Sequence, residues 1–325
     1  MFPFSLFLQT KKMKIVAIEP LGINSSIKTN LIQEWAQYGH LLEINDQRTE
    51  DPNLLVERIG NADILLVSNI PINEFVLSQC PNLKLISVAF TGLDHIDLSY
   101  CQSKNIKVMN CAGYATTAVA ELAIGLMLDV YRKISVLDQQ TRNEGTRNNF
   151  LGRQLKNKTL GIVGTGAIGL ETARLAQTFG CKVVAWSRSE RKEAIKLGIT
   201  YVTLSELMTQ SDIISLHTPL NNETFHLINQ DLLKLCKKSA ILINTARGNV
   251  VDMDAVAVAL KTGTLAGAAF DVFEQEPPIP KNHPLISASN CVLVPHIAYA
   301  TEESFEERVQ LVFNNVKTFL KMDQL

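Results

Sequence analysis

From Met13 onward, short apolar runs rich in β-branched residues alternate with segments whose apolar positions recur at helical spacing. The runs KIVAI, HLLEIN, DILLVSN, KLISVAF and IKVMN predict strands, with helices at KTNLIQEWAQYG, DPNLLVERIG and INEFVLSQC between them. Nearly every strand position is apolar, as in strands covered on both faces, so the rhythm predicts a parallel sheet with helices on either side. After Asn110 one long helix is expected over TTAVAELAIGLMLDVYRKISVLDQQTRN, followed by a polar connection through Gly152. A second series then runs through TLGIVG, KVVAWS, DIISLHT, AILINTA, GAAFDVF and CVLVPH. The closing segment EESFEERVQLVFNNVKTFL predicts an amphipathic helix with no strand after it, which must dock on a unit already built. The expected fold class is α/β with two doubly wound parallel-sheet domains, in keeping with 325 residues at roughly 150 per domain.

Composition narrows the partners. Hydrophobic residues at 46% and charged residues at 19% are the balance of an ordinary globular chain. Thirty-one Lys and Arg against 32 Asp and Glu leave a net charge of −1, so no global field favours nucleic acid or anionic lipid, and a small ligand is expected. The six cysteines form neither a CxxC pair nor a disulfide scaffold and read as reduced core thiols of a cytoplasmic protein. No run approaches the roughly 18 apolar residues of a membrane span. The start, MFPFSLFLQTKK, places its apolar part before its lysines, the reverse of a secretory signal, and reads as a loose extension before Met13. Neither HxH, HExxH nor paired-cysteine spacing suggests a metal, and GxSxG is absent.

Two constellations carry chemistry. Gly164, Gly166 and Gly169 form GxGxxG between an apolar strand and a helix expected to run to about Phe179. The first glycine permits a tight turn, the second lets the backbone approach a pyrophosphate, and the third lets helix and strand pack closely, so a dinucleotide is the expected cofactor. An acid on the ribose hydroxyls is expected about 20 residues on. Ser187, Arg188 and Ser189 stand there instead, a guanidinium and two hydroxyls suited to a 2′-phosphate, which favours NADP; an Arg188 that merely caps a solvated turn in an NAD protein is the competing reading. Farther on, Arg247, Glu276 and His296 lie at or beyond the ends of successive predicted strands. Each alone has an ordinary structural explanation. Together they supply a cation for a carboxylate and its neighbouring carbonyl, a proton donor, and an acid that keeps the donor charged. His217 reads at most as a wall of the adenine pocket.

In order along the chain, TGLDHIDL, NCAGYATTAVAEL, GIVGTGAIG, LHTPLNNETFHLIN, LINTARGNVVD, GAAFDVFEQEPP and PHIAYAT resemble the D-isomer-specific 2-hydroxyacid dehydrogenase family. PHIAYAT and the Ser-Arg-Ser turn are most similar to glyoxylate and hydroxypyruvate reductases. The resemblance implies a discontinuous, flavodoxin-like substrate domain, residues 13–110 and 298–325, around an inserted Rossmann cofactor domain, residues 111–297, with the active site in the cleft between them. It implies that Arg247 binds the substrate carboxylate and carbonyl, that His296 is the acid/base and that Glu276 orients and charges it. Thr91 and Gly92 would offer N–H groups to the carboxylate. Gly164, Gly166, Ala167, Ile168 and Gly169 would cradle the pyrophosphate, Thr218 and Pro219 line the adenine pocket, Asp271 hold the nicotinamide carboxamide, and Thr245 contact the cofactor. Glu276 is glutamine in the formate dehydrogenase branch, so that branch is disfavoured. No regulatory domain is expected after the last helix. The helix from Thr117 to about Lys133 implies a homodimer. Other readings are a nucleotide-sensing, corepressor-like scaffold, which has no use for an acid/base pair, and a dehydrogenase for D-lactate, a phosphoglycerate or a phosphonate-like anion.

Overall fold

The structure, a computed structural model, describes residues 12–322 apart from Pro277; the extension expected before Met13 lies, save for Lys12, outside the described residues. The chain forms two compact units, one of residues up to Tyr114 together with those from Glu302, the other Ala115–Thr301, each boundary four residues beyond the one read from the sequence.

In the first unit, β1 (Lys14–Ala17), β2 (Leu41–Ile44), β3 (Ile64–Val67), β4 (Leu85–Val88) and β5 (Lys107–Asn110) pair in the order β2-β1-β3-β4-β5, all parallel. This is the flavodoxin-like order. Every residue of β3 and β4 is buried, so both faces are covered and the apolar runs need no alternation. Helices start where a side chain can accept an orphan N–H: Asn24, Asp51, Asn73 and Asp97 each cap the helix that follows. The orphan last helix, Glu302–Phe319, docks on this same unit. Ser87 Oγ donates to Val312 O at 3.0 Å, Asn315 Nδ2 donates to Asn110 O at 3.0 Å, and buried Arg308 donates to Leu21 O at 2.9 Å while lying over the Phe305 and Phe90 rings.

The second unit holds β6 (Thr159–Val163), β7 (Lys182–Trp186), β8 (Thr200–Tyr201), β9 (Ile213–Leu216), β10 (Ile241–Asn244), β11 (Gly267–Phe270) and β12 (Cys291–Leu293). They form a parallel sheet in the order β12-β11-β10-β9-β6-β7-β8, with its switch point between β6 and β9. Because all seven run the same way, every loop leaving a strand's carboxyl end opens on one edge, where α/β sheets bind ligands.

Three details depart from the sequence reading. The single helix expected after Asn110 is two, Thr116–Arg132 and Ile134–Arg142, broken at Lys133, which is left-handed at φ +52°. Asp129 Oδ1 stabilises the break by accepting from Ser135 N and Oγ. Strand β8 and the short helix Leu98–Ser103 also escaped the pattern, each too short to show a period. All six cysteines are free, and burial pushes the Cys111 and Cys291 thiols up to about 12, which leaves them unreactive. Among the described residues no helix is long and apolar enough to cross a membrane, and no group of three His, Cys, Asp or Glu could hold a metal ion.

Candidate active site

The glycine turn leaves β6 at the switch point. Gly164 sits at φ +100°, and a Cβ there would come within 2.7 Å of His217 O, so both the turn and the approach to β9 require glycine. A Cβ on Gly169 would overlap Gly164 O, whereas one on Gly166 would meet nothing within 4 Å. Two glycines thus serve packing, and the third borders open space. The helix Ala167–Thr178 starts at Gly166 with no side-chain cap, leaving its first N–H groups and positive dipole end for an anion. This cradle fits a dinucleotide pyrophosphate. Thr245 Oγ1, buried with no hydrogen-bond partner just past β10, is a hydroxyl left over for a ligand on the same edge.

Arg247, Glu276 and His296 belong to the loops after β10, β11 and β12, three neighbouring strands. His296 Nδ1 lies 2.8 Å from Glu276 Oε1, and the other oxygen, Oε2, accepts from Phe273 N at 3.0 Å. The glutamate is therefore held at both ends, and Nε2 is the ring nitrogen it leaves for other work. Asn244 brackets the Arg247 turn, accepting from Ala246 N at 3.0 Å and donating to Arg247 O at 3.0 Å. The next residue, Gly248, packs so tightly on the Phe273–Glu274 peptide that a Cβ would overlap the Phe273 carbonyl and reach within 2.5 Å of Glu274 N. Backbone contact thus runs from the Arg247 loop to the Glu276 loop and through the carboxylate to the imidazole.

Asp271 closes the arrangement. His296 is left-handed at φ +54°, an uncommon conformation for a side chain of its size. Its N–H donates to Asp271 O at 2.9 Å, and the Asp271 carboxylate accepts from Ile297 N at 2.6 Å and Ala298 N at 3.0 Å. Both oxygens are thereby engaged by the turn that carries the histidine. Burial raises the Asp271 carboxyl from 3.8 to about 6, against the pull of the two amides and His296. A folded-state value above the unfolded one means stability present below pH 3.8 and lost as pH rises through about 6, on the order of 3 kcal/mol. The melting temperature of the wild-type chain minus that of Asp271→Asn should therefore move in favour of wild type from pH 8 to pH 5. The opposite trend would mean that the amide hydrogen bonds outweigh the cost of burial.

The remaining expected residues are distributed as follows. Thr91 and Gly92 follow β4 in the first unit, where Asn110 Nδ2 fixes Thr91 O at 2.7 Å. Ser187, Arg188 and Ser189 follow β7, and Arg188 pairs with Glu223 at 3.4 Å. Thr218 is buried and Pro219 exposed, in the loop after β9. His217 is not an open wall: Nε2 lies 2.9 Å from Ser215 Oγ, Nδ1 is buried without a partner, and burial lowers its pKa to about 3, so the ring stays neutral and backs the glycine turn. Two supports had no sequence signal. Asn244 ends an apolar strand, and Tyr201 on unpredicted β8 donates to Thr165 Oγ1 at 2.8 Å while accepting from Arg191 N at 3.0 Å, tying the β7 turn to the glycine turn.

A phosphate cradle and an acid–imidazole pair along one sheet edge define a nicotinamide-dependent dehydrogenase, since a nucleotide sensor needs no proton donor. Residues 124–298 match the family model of the D-isomer specific 2-hydroxyacid dehydrogenase NAD binding domain, more than half of the chain. A glyoxylate reductase of Thermofilum pendens is 42% identical over 275 residues, 82% of this chain and 81% of the relative. A glycerate dehydrogenase of Methylorubrum extorquens is 35% identical over 317 residues, 94% and 96% of the two chains. Among solved structures, an acyclic imino acid reductase in complex with NADPH and D-Arg superposes with a TM-score of 0.85 at 31% identity, covering 95% of this chain and 98% of that one. This chain belongs to the D-isomer-specific 2-hydroxyacid dehydrogenases, enzymes that reduce a 2-oxo acid to the D-2-hydroxy acid with a nicotinamide cofactor.

Proposed function

We propose that this enzyme reduces glyoxylate- and hydroxypyruvate-like small 2-oxo acids and prefers NADPH to NADH. The observation that carries the assignment of the chemistry is the 2.8 Å His296–Glu276 pair, locked to the Arg247 loop through Gly248. The relatives named glyoxylate reductase support the substrate class, and the arginine and absent acid at the end of β7 support the coenzyme.

Reduction of a keto group consumes a hydride and a proton. The bound nicotinamide supplies the hydride. Arg247 pairs with the substrate carboxylate and polarises the carbonyl. His296 Nε2 gives its proton to the carbonyl oxygen, and Glu276, on Nδ1, holds the ring's orientation and stabilises its charged form. Gly164, Gly166, Ala167, Ile168 and Gly169 hold the pyrophosphate, Thr218 and Pro219 the adenine, and Thr245 and Asp271 the nicotinamide end. Asp271 can serve there through lone pairs that the Ile297 and Ala298 amides leave over. We also infer a cytoplasmic homodimer formed through the helix from Thr117 to about Lys133, and a solution mass of one 36.0 kDa chain would end that inference.

The test is a panel of glyoxylate, hydroxypyruvate, pyruvate and 3-phosphohydroxypyruvate assayed with both coenzymes. The expected result is the highest kcat/KM for the first two with NADPH, and an Arg188→Ala variant that loses about tenfold with NADPH and under twofold with NADH. Preference for the phosphorylated acid would overturn the substrate class, and equal losses would overturn the coenzyme.

A further inference from the structure

Ser187, directly after β7, stands where a dinucleotide fold places the ribose acid, and besides Glu190 farther along the same turn a carboxylate reaches Arg188 from the loop after β9. Glu223 lies in the loop after β9, and its Oε2 is 3.4 Å from Arg188 Nη1. The loop presents it from a fixed frame. Glu223 N donates to Asn221 Oδ1 at 2.9 Å, Asn221 N to Thr224 Oγ1 at 2.8 Å, and Thr224 Oγ1 to Pro219 O at 2.6 Å. Both charged side chains stand in solvent, Arg188 81% and Glu223 71% exposed. Exposed pairs of this kind contribute little to stability, so folding alone does not explain the placement.

We propose that Glu223 sets coenzyme choice by supplying, from the loop after β9, the ribose acid missing at the end of β7. With NADH its carboxylate accepts a hydrogen bond from a ribose hydroxyl, as an acid on β7 would. With NADPH it competes with the 2′-phosphate for the Arg188 guanidinium and repels that phosphate as a like charge. Arg188 and Glu223 then work as an opposed pair that lets one site take either coenzyme and moderates the preference Arg188 would impose alone. This rests on the dinucleotide reading of the glycine turn and on Arg188 as the 2′-phosphate partner.

The experiment is calorimetric titration of the full chain with NADPH and with NADH, without substrate, for wild type, Glu223→Gln, Arg188→Ala and the double variant. Melting temperatures check that each variant is folded, and exposure of both side chains makes that outcome expected. Glu223→Gln should bind NADPH about three- to tenfold tighter and NADH about two- to fivefold weaker. The NADPH gain should shrink in the Arg188→Ala background, where only the direct repulsion of the phosphate remains, and shrink in 0.5 M salt, because an exposed charge is screened over a few ångströms. If Arg188→Ala weakens NADPH while Glu223→Gln moves neither constant, the proposal falls and the coenzyme reading stands. If Arg188→Ala leaves NADPH unaffected while Glu223→Gln still weakens NADH, the NADPH preference falls and the ribose contact stands. A change of equal size and sign for both coenzymes would also overturn the proposal.

Discussion

Alanine at position 296 is expected to lower kcat about a thousandfold while leaving the dissociation constant of NADPH within twofold. A positioned general acid is worth about 10² to 10⁴ in rate, and His296 is the imidazole that the structure holds on a carboxylate at 2.8 Å, with its second nitrogen left for the substrate. Coenzyme binding should survive because the glycine turn lies after β6, four strands away in the sheet from β12, whose loop carries His296. Two companion variants separate the roles. Arg247→Ala should lower kcat/KM by at least a hundredfold through both kcat and KM, since carboxylate binding and carbonyl polarisation are lost together, and lysine should restore it only in part because it lacks the planar fork. Glu276→Gln should retain more activity than either. It keeps an acceptor for Phe273 N–H but gives up the charge beside Nδ1. Steady-state kinetics with glyoxylate and NADPH, alongside coenzyme titrations, measure all three. Near-native turnover by His296→Ala would end the assignment of the proton donor.

The strands and the three side chains proposed as catalytic were legible in the sequence for a shared reason: both depend on local chemistry. Runs such as ILLV and IISL must be buried on both faces wherever they lie, and their burial throughout bears this out. Arg247, Glu276 and His296 follow strands, so parallel topology alone carries them to one edge. What local pattern misses is the choice of a distant partner. Lys133 interrupts an apolar period that runs on past it, and the break depends on Asp129 meeting Ser135. Tyr201 reaches Thr165 across 36 positions, and Glu223 reaches Arg188 across 35. No periodicity records such pairs. His217 shows the same limit, because no periodicity records that its Nε2 lies 2.9 Å from Ser215 Oγ.

Alanine at Gly248 should cost about a hundredfold in kcat and several degrees in melting temperature, with NADPH affinity nearly unchanged. The added methyl would overlap the Phe273 carbonyl and press on Glu274 N, backbone atoms in the loop just beyond buried β11 that have no rotamer by which to yield. The segment must move, and it carries the Phe273 N–H that anchors Glu276 and so the ring of His296. A displacement of about 1 Å in a positioned catalytic group is enough for a loss of that size. Gly166→Ala supplies the converse. A Cβ there meets no protein atom within 4 Å, so the free chain should melt as wild type does, while the methyl occupies the space through which a pyrophosphate approaches the helix Ala167–Thr178 and weakens coenzyme binding at least tenfold. The two substitutions add the same methyl group and differ only in what it meets. Thermal melts and coenzyme titrations should therefore give opposite patterns. Should Gly248→Ala retain full kcat, the backbone link between the arginine loop and the acid–imidazole pair would not be what holds the site together.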